Sequence, residues 1–181
     1  MLPKYILIVL FSSLALNFSG TILQEFFPSP LFLDTIGTML AAVLIGPWVG
    51  GLVGLSTNLL QGIFHTPLSI PFGLVSLGVG LLAGYLTILL KGYNRWFTPL
   101  VVGVITGVVA SLIAAPIATY LFGGISAHGI DKVVSAFVES GSSIFSGAFL
   151  GRLPFSIIDK LISAYLVFFL VKWLPMYKPK K

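Results

Sequence analysis

The sequence predicts an all-α integral membrane protein, a single domain of residues 1–181 built as a bundle of six transmembrane helices. Three observations support this fold class. Hydrophobic residues make up 57% of the chain and charged residues only 8%, whereas a soluble domain carries about 25% charged residues. The apolar residues form runs that are long enough to cross a bilayer. The acidic residues and most of the basic ones fall in different connecting segments, so they collect at opposite ends of the bundle.

The predicted helices are delimited by Gly, Pro and polar residues. Asp34 and Thr35 are expected to cap the second helix, since such side chains accept hydrogen bonds from a first helical turn. A Gly46-Pro47 turn then joins this short helix to the third, because Pro suits the first turn of a helix. Pro116 predicts a kink in the fifth helix. The spans cover about 5–23, 33–46, 47–61, 71–90, 99–122 and 155–174, and residues 123–154 form an outer loop with a short amphipathic helix.

The count of six depends on residues 33–61, which form either one interrupted span or two. As a separate span, the second helix is only about 20 Å long, against a hydrocarbon thickness of ~30 Å. Charge favours two spans. With six spans, Lys4, Lys91, Arg95 and the C-terminal lysines all lie on the cytoplasmic side, where basic residues near span ends belong. We therefore expect a multi-pass protein of the cell membrane with both termini in the cytoplasm.

The chain lacks recognisable motifs for catalysis and nucleotide binding. A GxxxxGK phosphate loop is absent, and no nucleophile with a paired base is visible. The absence of cysteines excludes thiolate metal sites, and the two histidines lack a ligand spacing. The net charge of +5 comes largely from the C-terminal tail, which suits anionic lipid better than nucleic acid. We therefore expect that the chain is not an enzyme and that it binds no metal, no cofactor and no nucleic acid.

The polar residues expected at the outer end are candidates for substrate binding. Asn58 and Gln61 share a helix face and form either one wall of a pocket or hydrogen bonds between helices. His65 lies in the following loop, as a ligand contact or as a solvated loop residue. Glu139 ends the short amphipathic helix, where it contacts substrate or solvent. The candidates are Asn58, Gln61, His65, Glu139, Arg152, Asp159 and Lys160.

Asp159 and Lys160 are the strongest candidates, because ionisable residues inside a span suggest a functional site. As neighbours in a helix they point about 100° apart, so one pocket does not face both squarely. Alternatively, Asp159 caps the start of the last helix and Lys160 extends to the membrane interface. Arg152 is placed to pair with Asp159 or with a carboxylate of the ligand.

Small residues recur four apart along several spans. In lipid they allow helix backbones to approach closely, either within the chain or against another membrane protein. The first helix is a natural outer contact surface. The residues proposed for partner docking are Ala15, Ser19, Ala41, Gly50 and Gly54.

One stretch resembles a known family. Residues 34–61, which begin Asp-Thr-Ile-Gly-Thr-Met-Leu-Ala-Ala-Val-Leu-Ile-Gly-Pro-Trp, resemble the second and third helices of substrate-binding S components of energy-coupling factor (ECF) vitamin transporters. The chain length, the six spans, the small-residue first helix and the polar, Pro-containing entry to the last helix at residues 153–160 are also similar. The resemblance covers most of the chain as architecture.

This resemblance implies a subunit that captures a small water-soluble vitamin or related micronutrient outside the cell. The pocket would lie among the last three helices and the outer loops, with the loop between helices one and two as a lid. The subunit would dock, through small residues on helices one to three, on a transmembrane coupling subunit that carries two cytoplasmic ATPases. Those partners would hydrolyse ATP, and the subunit would topple in the membrane to deliver its substrate.

Two other functions fit the residues less well. A membrane sensor module without its output domain would share the Gly-Pro helix turn. A small secondary transporter should show an internal repeat, and none is evident between residues 1–90 and 91–181.

Overall fold

The computed structural model of the protein describes residues 4–26, 31–124 and 131–174. The regular structure in these ranges is entirely helical, which confirms the all-α fold class for this part of the chain. The helices are α1 Lys4–Phe26, α2 Ile36–Leu44, α3 Pro47–Phe64, α4 Ser69–Leu89, α5 Phe97–Phe122, α6 Asp131–Glu139 and α7 Ile144–Trp173.

Four of the described helices, α1, α4, α5 and α7, are long and apolar enough to cross a membrane. Many of their large apolar side chains are exposed, such as Phe11, Leu74, Leu112 and Phe169. Water would disfavour such a surface, whereas lipid favours it. The chain is therefore a multi-pass membrane protein.

The α2 helix is short, with nine residues, and a sharp turn connects it to α3. Gly46 in this turn has φ +148°, a conformation that glycine adopts without the steric penalty of a side chain. Pro47 occupies the first turn of α3, where its missing N–H group is not needed. The chain thus reverses inside the bundle after about 14 Å of helix.

The predicted position of the α2 N-cap is confirmed, but the predicted side-chain hydrogen bond is wrong. The N-cap residue is Thr35, and among the described residues its side chain makes no capping hydrogen bond. Instead, Asn17 Oδ1 on α1 accepts hydrogen bonds from the N–H groups of Gly37 and Thr38, at 2.8 and 3.3 Å. Because the start of α2 is buried against α1, a side chain of α1 rather than a local one binds the free N–H groups of its first turn.

The last helix begins earlier than predicted, at Ile144 rather than Phe155. Residues 144–154 are helical and do not belong to the outer loop. Ser143 caps this helix by accepting a hydrogen bond from the N–H of Ser146 at 3.2 Å. Pro154 lies inside this helix, as neighbouring helices permit in membrane proteins.

The α5 and α7 helices pack closely in antiparallel orientation. A Cβ atom added to Gly103 would lie 2.8 Å from Leu161 Cα, and one added to Gly107 would lie 2.6 Å from Ile157 Cα. The start of α7 therefore lies beside the end of α5. This packing brings the connector around α6 to one end of the bundle, and Arg95 to the other.

A core of buried side chains joins the helices, and it includes Met39, Val79, Val102 and Val167. Tyr93, in the connector between α4 and α5, is completely buried in this core. Its hydroxyl donates a hydrogen bond to the Ala164 carbonyl at 3.1 Å. This end of the bundle is thereby held together by a side chain from a loop.

Candidate functional site

Two neighbouring charged residues of α7, Asp159 and Lys160, form a largely buried ionic cluster with Asp34 of the connector between α1 and α2, whose side chain is 20% exposed. Lys160 Nζ donates a hydrogen bond to Asp159 Oδ2 and lies 4.0 Å from Asp34 Oδ1. Asp159 is 0% exposed and Lys160 is 4% exposed. The lysine side chain bends towards its neighbour, so the two groups meet although their Cα–Cβ bonds diverge.

Asp159 also binds the backbone of the connector between α1 and α2. Its Oδ1 accepts hydrogen bonds from the N–H groups of Phe32 and Leu33, at 3.1 and 2.7 Å. We call residues 31–35 the strap. Leu33 has φ +51°, which is uncommon for a residue other than glycine. The strap is thus held in a strained conformation against α7, where the lid was expected from the resemblance.

The structural alternatives considered for Asp159 and Lys160 are wrong. Asp159 lies in the middle of α7 and therefore does not cap its start. Lys160 is buried and paired, so it does not extend to the membrane interface. Buried charges in a membrane protein are unfavourable unless they are paired and hydrogen-bonded, and here Asp159 has three donors.

Arg152 lies two turns before Asp159 on α7 and is 3% exposed. Its Nη1 donates a hydrogen bond to the Ala148 carbonyl at 3.2 Å. Its Nη2 lies 3.8 Å from Asp131 Oδ1, at the start of α6. The ion pair therefore joins α6 to α7. Asp131 takes the place of the predicted partner, Asp159, because α6 lies over the first turns of α7.

Asn58 and Gln61 make hydrogen bonds between helices. Asn58 Nδ2 donates to Ser76 Oγ on α4 at 2.8 Å and to the Gly54 carbonyl at 3.1 Å. Gln61 Nε2 donates to Thr21 Oγ1 on α1. The two side chains thus connect α3 to different neighbours, and a common pocket wall is not formed by these contacts.

His65 and Glu139 are both exposed, at the ends of α3 and α6 respectively. Glu139 lines a shallow cavity of about 210 Å³, which is smaller than the roughly 300–1,000 Å³ of typical ligand pockets. The other residues that line it are Gly123, Gly124, Val134, Ser135, Val138 and Ile144. This cavity does not include the ionic cluster.

Of the predicted site residues, the structure brings together Asp159 and Lys160, and Asp34 joins them. Arg152, two turns earlier on α7, forms a separate ion pair with Asp131. Sequence reasoning placed Asp34 at a helix cap and missed its ionic role. It also missed Asn17, although a lone amide within an apolar run is a signal of hydrogen bonding between helices.

The predicted docking residues fall into two groups. Ala15 and Ser19 are exposed on α1, so they are available to a partner. Ala41, Gly50 and Gly54 are buried. These three pack within the chain, and a docking role for them stays a prediction.

The close approach of helices explains why these positions are small. A Cβ atom added to Gly50 would overlap Ala42 on α2, and one added to Gly54 would lie 2.7 Å from the Ser76 carbonyl oxygen on α4. Small residues compensate for the weak apolar driving force between helices in lipid. The stripe on α3 therefore serves internal packing.

The fold and the ionic cluster define a multi-pass helical membrane protein with a polar site built inside an apolar bundle, at the middle of α7. The family model for the ECF transporter, substrate-specific component, matches residues 4–171. The chain therefore belongs to the family of ECF transporter substrate-specific components, which confirms the resemblance. Neither a curated protein nor a solved structure gives a significant match. Family membership makes this a membrane transport protein rather than an enzyme.

Proposed function

We propose that this protein is the high-affinity substrate-binding subunit of an ECF-type ABC importer. It captures a small water-soluble vitamin or related micronutrient from outside the cell and delivers it by docking on a coupling subunit. Membership of the family supports the transport role. The single observation that carries the location of the site is the buried ionic cluster, because α7 there holds both a salt bridge and the strap.

Six spans give the proposed topology, with α2 and α3 counted as separate spans. Lys91 and Arg95 lie in the connector between α4 and α5, and Lys172 ends α7. The positive-inside rule then assigns this end, and both termini, to the cytoplasm. The α6 helix lies at the exterior end, and the strap follows the exterior end of α1 and reaches inward to Asp159. This orientation in the cell membrane makes the ionic cluster accessible to an outside solute when the strap opens.

The charges of the site favour a polar or zwitterionic ligand. Arg152 and Lys160 can bind a carboxylate or another acceptor, and Asp34 can accept hydrogen bonds from a ligand donor. The groups already pair with one another, so a ligand would replace some of these contacts. The roles of Asn58, Gln61, His65 and Glu139 in substrate binding stay predictions.

Partner subunits supply the energy for transport in this proposal. The chain has no nucleotide-binding motif, so ATP is hydrolysed by two cytoplasmic ATPases bound to the coupling subunit. Ala15 and Ser19 on the exposed face of α1 are the proposed docking residues. Their small side chains would let another helix approach closely.

Native mass spectrometry of the protein purified in detergent tests the proposal. We expect a co-purified small molecule in the unsubstituted protein and in Lys132→Ala, since Lys132 is exposed on α6. The ligand should be lost in Asp159→Asn. Purification together with a coupling subunit and two ATPases should succeed for all three proteins. A folded protein that never carries a small molecule nor associates with these subunits would overturn the proposal.

A further inference from the structure

Asn17 is a completely buried amide in the middle of the lipid-facing helix α1. Its Oδ1 accepts hydrogen bonds from the N–H groups of Gly37 and Thr38. Its Nδ2 donates to Thr38 Oγ1 at 3.0 Å and to Thr57 Oγ1 at 2.9 Å. The amide therefore uses both its acceptor and its donors, and it connects α1 to the start of α2 and to α3.

The strap lies between two side-chain anchors. The carboxylate of Asp159 accepts hydrogen bonds from the N–H groups of Phe32 and Leu33, in the first part of the strap. Asn17 binds the N–H groups directly after it, in the first turn of α2. Because Leu33 has a positive φ, the strap keeps this conformation only while its surroundings hold it.

Close packing adds to the connection between α1 and the strap. A Cβ atom added to Gly20 would overlap the Leu33 carbonyl group, and one added to Gly37 would overlap the Ser13 carbonyl group. The backbone of α1 is therefore in direct contact with the strap and with the start of α2. Displacement of the strap requires a change at this contact.

We propose that Asn17 is a positioning residue that keeps the strap closed over the ionic cluster. This inference rests on the proposed function, in which the strap covers the substrate site. The first N–H groups of a helix have no partners in their own helix, and in an apolar bundle they need one. Without the Asn17 oxygen, the first turn of α2 unwinds and releases one end of the strap. Asp159 then remains as the other anchor.

If Asn17 served only helix packing, a different result would be expected. A substitution at Thr57 distinguishes this packing role from the positioning role. The bond from Asn17 to Thr57 joins α1 to α3 and does not involve the strap or the N–H groups of α2. Thr57→Val removes this bond. A packing role predicts similar effects for Asn17→Leu and Thr57→Val, whereas a positioning role predicts an open strap in Asn17→Leu alone.

Labelling of a single cysteine in the strap tests the inference. The natural sequence has no cysteine, and Thr35 is 1% exposed, so a thiol there reacts only when the strap opens. The full chain carrying Thr35→Cys is reconstituted in vesicles and treated with a membrane-impermeant maleimide. Asn17→Leu should accelerate labelling about tenfold, as loss of a buried hydrogen-bonding group predicts. Thr57→Val should change the rate less than about twofold.

Asn17→Asp provides a rescue, because its carboxylate still accepts hydrogen bonds from Gly37 and Thr38 and is favoured at a helix N-terminus. Its labelling rate should stay within about threefold of the parent. An unchanged rate in Asn17→Leu would overturn the inference. Equal acceleration in Thr57→Val would do the same, since packing would then explain both.

Hydrogen exchange of the unsubstituted protein covers the case in which Asn17→Leu does not fold. The amides of Gly37 and Thr38 should exchange as slowly as those in the middle of α4. Exchange at the rate of free amides would contradict the inference. Neither measurement needs substrate or partner subunits, so their failure leaves the proposed transport function unaffected, and the absence of a co-purified ligand leaves this inference unaffected.

Discussion

Asp159 on α7 accepts a 2.7 Å hydrogen bond from the backbone N–H of Leu33, a residue 126 positions away in the sequence. This contact fixes the strap against the helix that carries the basic groups of the proposed site. It also explains how Leu33 keeps a positive φ in the folded protein. One buried carboxylate thus serves both the shape of the connector and the charge balance of the site.

The Asp159–Lys160 pair should make a large contribution to stability. Either Asp159→Asn or Lys160→Met leaves a partner in the interior without its opposite charge, and we expect each to lower the free energy of unfolding by about 3 kcal/mol. The double variant removes both charges and should be destabilised by less than the sum. Denaturation in detergent measures these values. Additive effects would show that the two charges do not interact.

Arg152→Ala should loosen α6, because Arg152 pairs with Asp131 at the start of that helix. We expect amides of residues 131–139 to exchange about tenfold faster, because the variant loses an ion pair in which Arg152 is buried and Asp131 is 16% exposed. Hydrogen exchange with mass spectrometry measures this directly. Lys132→Ala is the matched control, since Lys132 is exposed. Equal protection of α6 in the two variants would rule out the positioning role of Arg152.

Asn58 should contribute to packing between α3 and α4 through Ser76. A double-mutant cycle of Asn58→Ala and Ser76→Ala should give a coupling energy of about 0.6 kcal/mol, the average for hydrogen bonds between membrane helices. Thermal unfolding in detergent supplies the four free energies. If the coupling energy is zero while ligand binding is lost, Asn58 contacts substrate and not Ser76.

Small residues at buried and exposed positions should respond differently to enlargement. Gly50→Leu should destabilise the fold by roughly 1–3 kcal/mol or more, because α2 occupies the space beside it. Ser19→Leu, on the exposed face of α1, should leave the unfolding temperature unchanged and weaken association with the coupling subunit. Unfolding scans and co-purification measure the two effects. Normal association of Ser19→Leu would remove this face of α1 from the proposed contact.

Local signals in the sequence were sufficient for the fold class. Long apolar runs and few charges indicate a helical membrane protein without further information, and the Gly46-Pro47 pair coincides with the boundary between α2 and α3. The start of α7, expected at Phe155, lies earlier, at Ile144. A proline such as Pro154 marks a helix boundary in water more reliably than in a membrane bundle.

The site was only partly predictable, because its contacts join distant segments. Buried charges identified Arg152, Asp159 and Lys160, but the sequence does not reveal that Asp159 binds the strap. The same limit applies to Asp34, whose position before a helix suggested a cap until the ion pair with Lys160 was seen. Asn17 is a further example, since its partners lie on two other helices.

The central claim is that the end of the bundle with α6 faces the exterior, so that a solute reaches the ionic cluster from outside past the strap. Cysteine labelling in intact cells tests it most directly, with Ser140→Cys between α6 and α7 and Lys91→Cys between α4 and α5, both at exposed positions. We predict that a membrane-impermeant maleimide labels Ser140→Cys in intact cells and Lys91→Cys only after permeabilisation. The reverse pattern would contradict the account.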